Sequence, residues 1–363
     1  MLLVHSVGKC YGGLARLRRA VQDIKKTREN VLWLNAGDFF QGTIWYTQFK
    51  WEVVSKFSNM LDFDAMTLGN HEFDDSIAGV VPFLKNQTCK VVVSNLNDSL
   101  VPAMKGLTVK SAKFQVGEKT VGVVGYLTPD TKFIADPEEL IILDEIESLK
   151  PVVAQLHQEG VEIIVALGHS GYEKDQEIAA SVPHLDVVVG AHTHSFLFSP
   201  SEDHPNPSNN QIRGPYPTIV NNPAGHKTIV LQAYAFTKVK LAKQKLHFDN
   251  NVLSQYLGNV DLKFSSDGSL DSWSGSPILL DSTFLKDPEV EEELKPYKVK
   301  LDEISKVVIG SAAKTLLHSR DRESLMGNFV TDAMLRPWEN KTMPDGSKIR
   351  KYQPNCHVDY PPN

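Results

Sequence analysis

Leu68-Gly69-Asn70-His71-Glu72-Phe73-Asp74 is the stretch whose reading decides the fold. It follows Phe63-Asp64-Ala65-Met66-Thr67, a short β-prone run, so the polar cluster falls where a strand ends. Open α/β sheets hold their ligands at the carboxyl ends of strands. Gly69 allows close backbone approach. The Asn70 amide oxygen can ligate a hard divalent cation, and His71 with Asp74 offers a proton donor oriented by a carboxylate. Alone, Gly-Asn is an ordinary turn pair.

Three further apolar runs end in the same way and outweigh the turn reading. Val31-Leu32-Trp33-Leu34 leads into Asn35-Ala36-Gly37-Asp38, and Val161 to Leu167 leads into Gly168-His169. Leu185 to Val189 leads into Gly190-Ala191-His192-Thr193-His194. Each run is followed by a hard oxygen or an imidazole beside a glycine. Two divalent ions about 3.5–4 Å apart need a bridging carboxylate to offset their mutual repulsion, and Asp38 is the best placed. Asn70, His169 and His192 would complete one ion. His194, on the same side of an extended segment as His192, could reach the other. Mixed imidazole, amide and carboxylate donors suit zinc, manganese or iron rather than calcium.

Around these four ends the chain alternates helical and strand patterns. Gly13 to Arg28 carries Leu14, Leu17, Val21 and Ile24 at helical spacing, with a basic face expected to be solvated. Val53 to Leu61 and Pro151 to Gln158 predict helices; Cys89 to Val93 and Thr120 to Gly125 predict strands. Strands alternating with helices argue an α/β core. Ser199 to Ala224, rich in Pro, Asn, Ser and Gly, predicts a long surface loop. Beyond it, Thr228 to Ala235 and Val239 to Phe248 predict paired strands. Asp287 to Ser305 reads as a charged helix, Met326 to Met334 begins another, and little fixed structure is expected past Arg336.

A chain of 363 residues with 41% hydrophobic residues holds one large domain and part of another. A net charge of −6 without a basic stripe argues against nucleic acid. No apolar run reaches the length of a membrane span, and neither end carries a signal peptide or anchor signal. Cys10, Cys89 and Cys356 form no metal spacing. Asn86-Gln87-Thr88, Asn97-Asp98-Ser99 and Asn340-Lys341-Thr342 are glycosylation acceptors and lean towards an extracellular setting.

The order Gly-Asp, Gly-Asn-His-Glu, Gly-His and Gly-x-His-x-His resembles the calcineurin-like metallophosphoesterase superfamily. Ala36 to Asp38 through Gly42-Thr43-Ile44-Trp45, Leu68 to Asp74, Ala166 to Gly171 and Val187 to Phe198 closely resemble the animal 5′-nucleotidase and apyrase family. Val230-Leu231-Gln232-Ala233-Tyr234-Ala235-Phe236, Gly275 to Leu280, Met326-Gly327-Asn328 and Asp332-Ala333-Met334 extend the match. The resemblance implies a four-layer α/β/β/α metallophosphoesterase sandwich over 1–285, with its first strand missing. A linker helix would occupy 286–306, the start of a truncated C-terminal nucleotide-binding domain 307–335, and a divergent tail 336–363.

The same resemblance implies hydrolysis of nucleoside 5′-phosphates to nucleoside and phosphate through a dinuclear metal-activated water. The cofactor would be two divalent ions, zinc first, with manganese or calcium as alternatives. Asp38 would bridge them, Asn70, His169 and His192 would bind one, and His194 the other. His71, held by Asp74, would form the catalytic dyad, and Arg320 matches a substrate-binding arginine. The substrate would be a nucleotide of the AMP, ADP or ATP class, the setting extracellular or cell-surface, and dimerisation would run through the C-terminal domain. Two departures qualify this. The family opens on an Asp-x-His strand, where this chain has Leu3-Val4-His5, and leucine cannot coordinate a metal. The first ion would then be weakly held. Most of the C-terminal domain is also absent. The second reading is therefore a catalytically impaired member, serving as a metal- or nucleotide-binding or interaction protein.

Overall fold

The computed structural model describes residues 4–6, 9–208, 210–234, 255–265 and 268–307, with 324, 327, 328, 330 and 331. The chain divides into two units, Met1–Asp302 and Glu303–Asn363.

Three two-residue strands form one sheet of the first unit. These are β1 (Leu34–Asn35), β2 (Ala65–Met66) and β3 (Lys90–Val91), parallel and in that order. Six longer strands form the largest sheet, and the remaining sheets among the described residues have two strands each. The six are β4 (Ser111–Val116), β5 (Lys119–Leu127), β6 (Ile163–His169), β7 (Val187–Gly190), β8 (Thr218–Asn221) and β9 (Lys227–Gln232). The order is β8-β9-β7-β6-β5-β4, parallel from β5 to β9 and antiparallel at both edges. The β-branched runs Ile163-Ile164-Val165 and Val187-Val188-Val189 suit strands covered on both faces.

Parallel neighbours need crossover connections, and helices supply them. Helix α1 (Leu14–Thr27) precedes β1, α2 (Ile44–Leu61) links β1 to β2, and α3 (Ser76–Lys85) links β2 to β3. Helix α4 (Glu145–Gln158) links β5 to β6, and α5 (Tyr172–Ser181) links β6 to β7. Asp144 caps α4 by accepting from the Glu147 N–H at 2.9 Å.

Side-chain alternation shows how the layers stack. Met66, Val91 and Val93 pack with Leu17, Val54, Phe57, Val80 and Phe83 of α1–α3. Ala65 and Val92, pointing the other way, pack with β5, β6 and β7, which are backed by Leu149 and Val153 of α4 and Ile178 of α5. The result is helices, short sheet, long sheet, helices. The chain after the short sheet lies tight against the long sheet at Gly125, where the Val92 carbonyl oxygen would lie 1.8 Å from any Cβ.

Several boundaries differ from expectation. Helix α2 starts at Ile44, nine residues before Val53, capped by the Thr43 hydroxyl accepting from Tyr46 N–H at 3.0 Å. It is broken at Lys50, which has φ +53°. The basic face of α1 is only partly solvated: Arg16 is buried and donates to the Gly12 carbonyl, while Arg18 pairs with Asp287 and Glu289. The expected loop 199–224 contains β8, because Thr218, Ile219 and Val220 are β-branched and pair with β9. Strand β9 pairs with β7 and β8; the expected partner strand 239–248 lies outside the described residues. Pro288–Ser305 is helical as expected (α6), and so are Gly327, Asn328, Val330 and Thr331 of the helix expected from Met326. The tail past Arg336 lies outside the described residues.

Gly125→Ala should lower stability by about 1–3 kcal/mol, since a methyl group there overpacks the contact with Val92. Urea unfolding followed by circular dichroism checks it; an unchanged midpoint would show that this contact is not tight.

Candidate metal centre

All four polar runs leave their strands at the carboxyl ends. After β1 the chain turns through Gly37 at φ +85° and Asp38 at φ +61°. After β2 it forms a 3-10 turn, Asn70–Phe73. The two loops touch: a Cβ on Gly69 would lie 2.2 Å from Asp38 Oδ1, so only glycine fits. The loops are held by Glu72, which is fully buried. Its carboxylate accepts from the backbone N–H groups of Asp38, Phe39, Phe40 and Gly69 at 2.5–3.0 Å. Burial and the nearby Asp38 push the Glu72 pKa up, and these N–H donors pull it down.

Asp38 is 3% exposed. Its Oδ1 accepts from the His71 N–H at 3.0 Å, and its Oδ2 lies 2.8 Å from His169 Nε2. His169 Nδ1 is 2.7 Å from the Ala36 carbonyl oxygen and donates to it, which aims Nε2 at the carboxylate. A ring N–H tied to a backbone carbonyl is the usual support of a metal-binding histidine. Burial pulls the His169 pKa down, but the charge of Asp38 holds it up. Burial likewise opposes ionisation of Asp38, yet His169 keeps its pKa below the usual carboxylate range. A divalent cation would displace the proton this pair favours.

The ligand atoms of Asp38, His169 and His192 all lie within 4.8 Å of one another. The rings of His169 and His192 meet edge to face, with centroids 5.1 Å apart. Burial and the neighbouring His169 lower the His192 pKa, favouring the neutral ring a metal needs. Asn70 is buried, and among the described residues its Oδ1 has no hydrogen-bond partner. An unsatisfied buried acceptor beside a carboxylate fits a cation. His194 is exposed and lies outside that compact group, though it lines the same cavity as His192. That cavity, about 660 Å³, runs between the sheets past Leu34, Val165 and Val189.

His71 and Asp74 stand beside this group. His71 Nδ1 is 2.7 Å from Asp74 Oδ2, and the imidazole is 44% exposed while the carboxylate is 15% exposed. The bond to Asp74, against some burial and helped by Asp38, raises the His71 pKa to about 9. Arg320 and the side chain of His5 lie outside the described residues. Glu72 and Gln232 were given no role from the sequence. Glu72 could have been found from its place three residues after Gly69, where a side chain reaches back to the loop N–H groups.

The calcineurin-like phosphoesterase family profile matches residues 4–196, more than half of the chain. The chain belongs to the calcineurin-like phosphoesterases, a family that uses divalent metals, and the ligand group fits that chemistry. Within the family it is similar to 5′-nucleotidases and apyrases. The 5′-nucleotidase of Rattus norvegicus is 39% identical over 334 residues, covering 90% of this chain and 54% of the relative. The apyrase of Tabanus yao is 36% identical, covering 91% and 57%. Among solved structures, the 5′-nucleotidase precursor from Thermus thermophilus superposes with a TM-score of 0.80 at 32% identity, covering 93% of this chain and 64% of that one. The chain therefore spans about half the length of the curated relatives it matches. The mixed α/β architecture is that of the metallophosphoesterase domain.

Two outcomes follow from the site. Glu72→Gln should destabilise the protein by about 3 kcal/mol, because a carboxamide turns N–H groups toward backbone donors; denaturant unfolding measures it. In metal-free protein, NMR should find His71 titrating near 9, falling toward 6.5 in Asp74→Asn. A raised histidine pKa stabilises the fold fully below about 6.5, and that contribution is lost as pH rises through about 9.

Proposed function

We propose that this chain carries the catalytic domain of a metal-dependent phosphohydrolase of the 5′-nucleotidase type. It would hydrolyse nucleoside 5′-phosphates of the AMP, ADP or ATP class to nucleoside, or a shorter nucleotide, and phosphate. The observation that carries the reading is the meeting of Asp38, His169 and His192 within 4.8 Å, beside the unpaired Asn70 oxygen and the His71–Asp74 pair.

Asp38, Asn70, His169 and His192 would hold one divalent ion, and Asp38 with His194 would hold a second. The donor set suits zinc, with manganese next and calcium last. When bound, such ions supply Lewis acidity toward a phosphoryl oxygen and a water nucleophile at neutral pH. The chain's own residues do the rest. Asp74 fixes the His71 ring and favours its protonated form, so that an N–H can stabilise the transferring phosphoryl group or give its proton to the departing oxygen. Glu72 holds the Asp38 loop against the His71 loop, so acid and ligands keep one geometry. Helix α6 is assigned as a linker to a nucleotide-binding domain that begins near residue 307. An extracellular or cell-surface setting is consistent with the acceptor Asn86, whose side chain is exposed. No helix among the described residues is long and apolar enough to cross a membrane. An impaired, non-catalytic member is the weaker reading, because the dyad and one ligand set are intact.

Phosphate release from AMP and ADP with added zinc or manganese tests the proposal. Chelation should abolish it, Asp38→Asn should lower it by roughly a hundredfold or more, and His71→Ala by about 10²–10⁴-fold. A folded, metal-loaded protein that releases no phosphate from either nucleotide would overturn the assignment.

A further inference from the structure

Gln232 ends β9 directly beside Gly190, the last residue of β7 and the residue two before His192. Its side chain is 1% exposed. The Oε1 accepts from the Ser195 N–H at 2.9 Å, and the Nε2 donates to the Ala191 carbonyl at 2.9 Å and to Asp175 Oδ2 at 2.9 Å. One amide thus grips both ends of the His192-Thr193-His194 segment. Its orientation is fixed by chemistry, since the Ser195 N–H offers only a donor and Asp175 and the Ala191 carbonyl only acceptors. Asp175, fully buried, also accepts from the Tyr126 hydroxyl at 2.6 Å. Between the two grips, the Thr193 hydroxyl accepts from the Tyr172 N–H and lies 3.0 Å from the Ser195 hydroxyl.

What the grip restrains is strained. His192 has φ +80° and His194 φ +51°, a left-handed conformation that residues other than glycine enter only when surrounding structure imposes it. Released, the segment would relax and carry the His192 imidazole away from Asp38. We infer that Gln232, backed by Asp175 and Tyr126, is the positioning residue of the metal centre, setting metal affinity through the His192-Thr193-His194 backbone. The inference rests on the phosphohydrolase reading only for its kinetic consequence.

The test uses the full chain and zinc alone. Chelator competition should show Gln232→Ala raising the zinc Kd at least tenfold. Hydrogen exchange of 190–196 in metal-free protein should accelerate at least tenfold, with β5 and β6 unchanged. With zinc below saturation, kcat should fall while KM for AMP stays within twofold. Gln232→Glu keeps the volume but sets a carboxylate against Asp175, and should also loosen the segment. Adding Asp175→Asn restores a donor–acceptor pair and should recover part of the affinity. This pair decides the matter where Gln232→Ala does not fold. A folded Gln232→Ala or Gln232→Glu with unchanged zinc affinity and unchanged exchange would overturn the inference. So would a double variant no better than Gln232→Glu alone. Parent protein that binds zinc without releasing phosphate would remove the hydrolase assignment and leave the clamp standing.

Discussion

The Glu72 carboxylate is the contact on which the centre depends. Four backbone N–H groups from two loops converge on it where it is fully buried. Short strands such as β1 and β2 could not fix those loops by pairing alone. Glu72 closes the gap, and with it places the Asp38 carboxylate against the His71 N–H. The arrangement has an electrostatic cost. Two carboxylates share one buried space, and burial of like charges is unfavourable unless a positive charge enters. His169 answers part of that demand, and a divalent cation would answer the rest. The same feature that organises the loops therefore sets two carboxylates where a positive charge is favoured.

Rigidity is the second theme. Asp38, His192 and His194 all sit at positive φ, with a strain of order ~1–3 kcal/mol each. Side chains from elsewhere hold them: Glu72 for the first, Gln232 and Asp175 for the other two. All three holding groups are buried, so the candidate centre is braced from the core side. His71, on the outer side, keeps nearly half its ring exposed. Its ring is therefore open to solvent beside a largely buried group of side chains.

The strands were legible because burial on both faces demands unbroken β-branched runs, as in Ile163 to Val165 and Val187 to Val189. That Asp38, His169 and His192 come together was legible because each stands just past an apolar run that ends at a glycine. The break at Lys50, whose side chain pairs with Asp75, left no sequence mark. Strand β8 hid within a segment whose composition speaks for loop, because a four-residue edge strand changes composition little. Glu72 and Gln232 escaped for another reason. They act through backbone groups distant in sequence, and no spacing rule announces which carbonyl or N–H a buried side chain will find.

Zinc-edge anomalous diffraction from crystals grown with zinc reads out whether these strand ends hold a divalent cation. The expected peak lies about 2.0–2.2 Å from Asp38 and from His169 Nε2 and His192, with Asn70 Oδ1 facing it. Zinc-saturated crystals with density only elsewhere, and with the Asp38–His169 contact intact, would contradict a cation at this site.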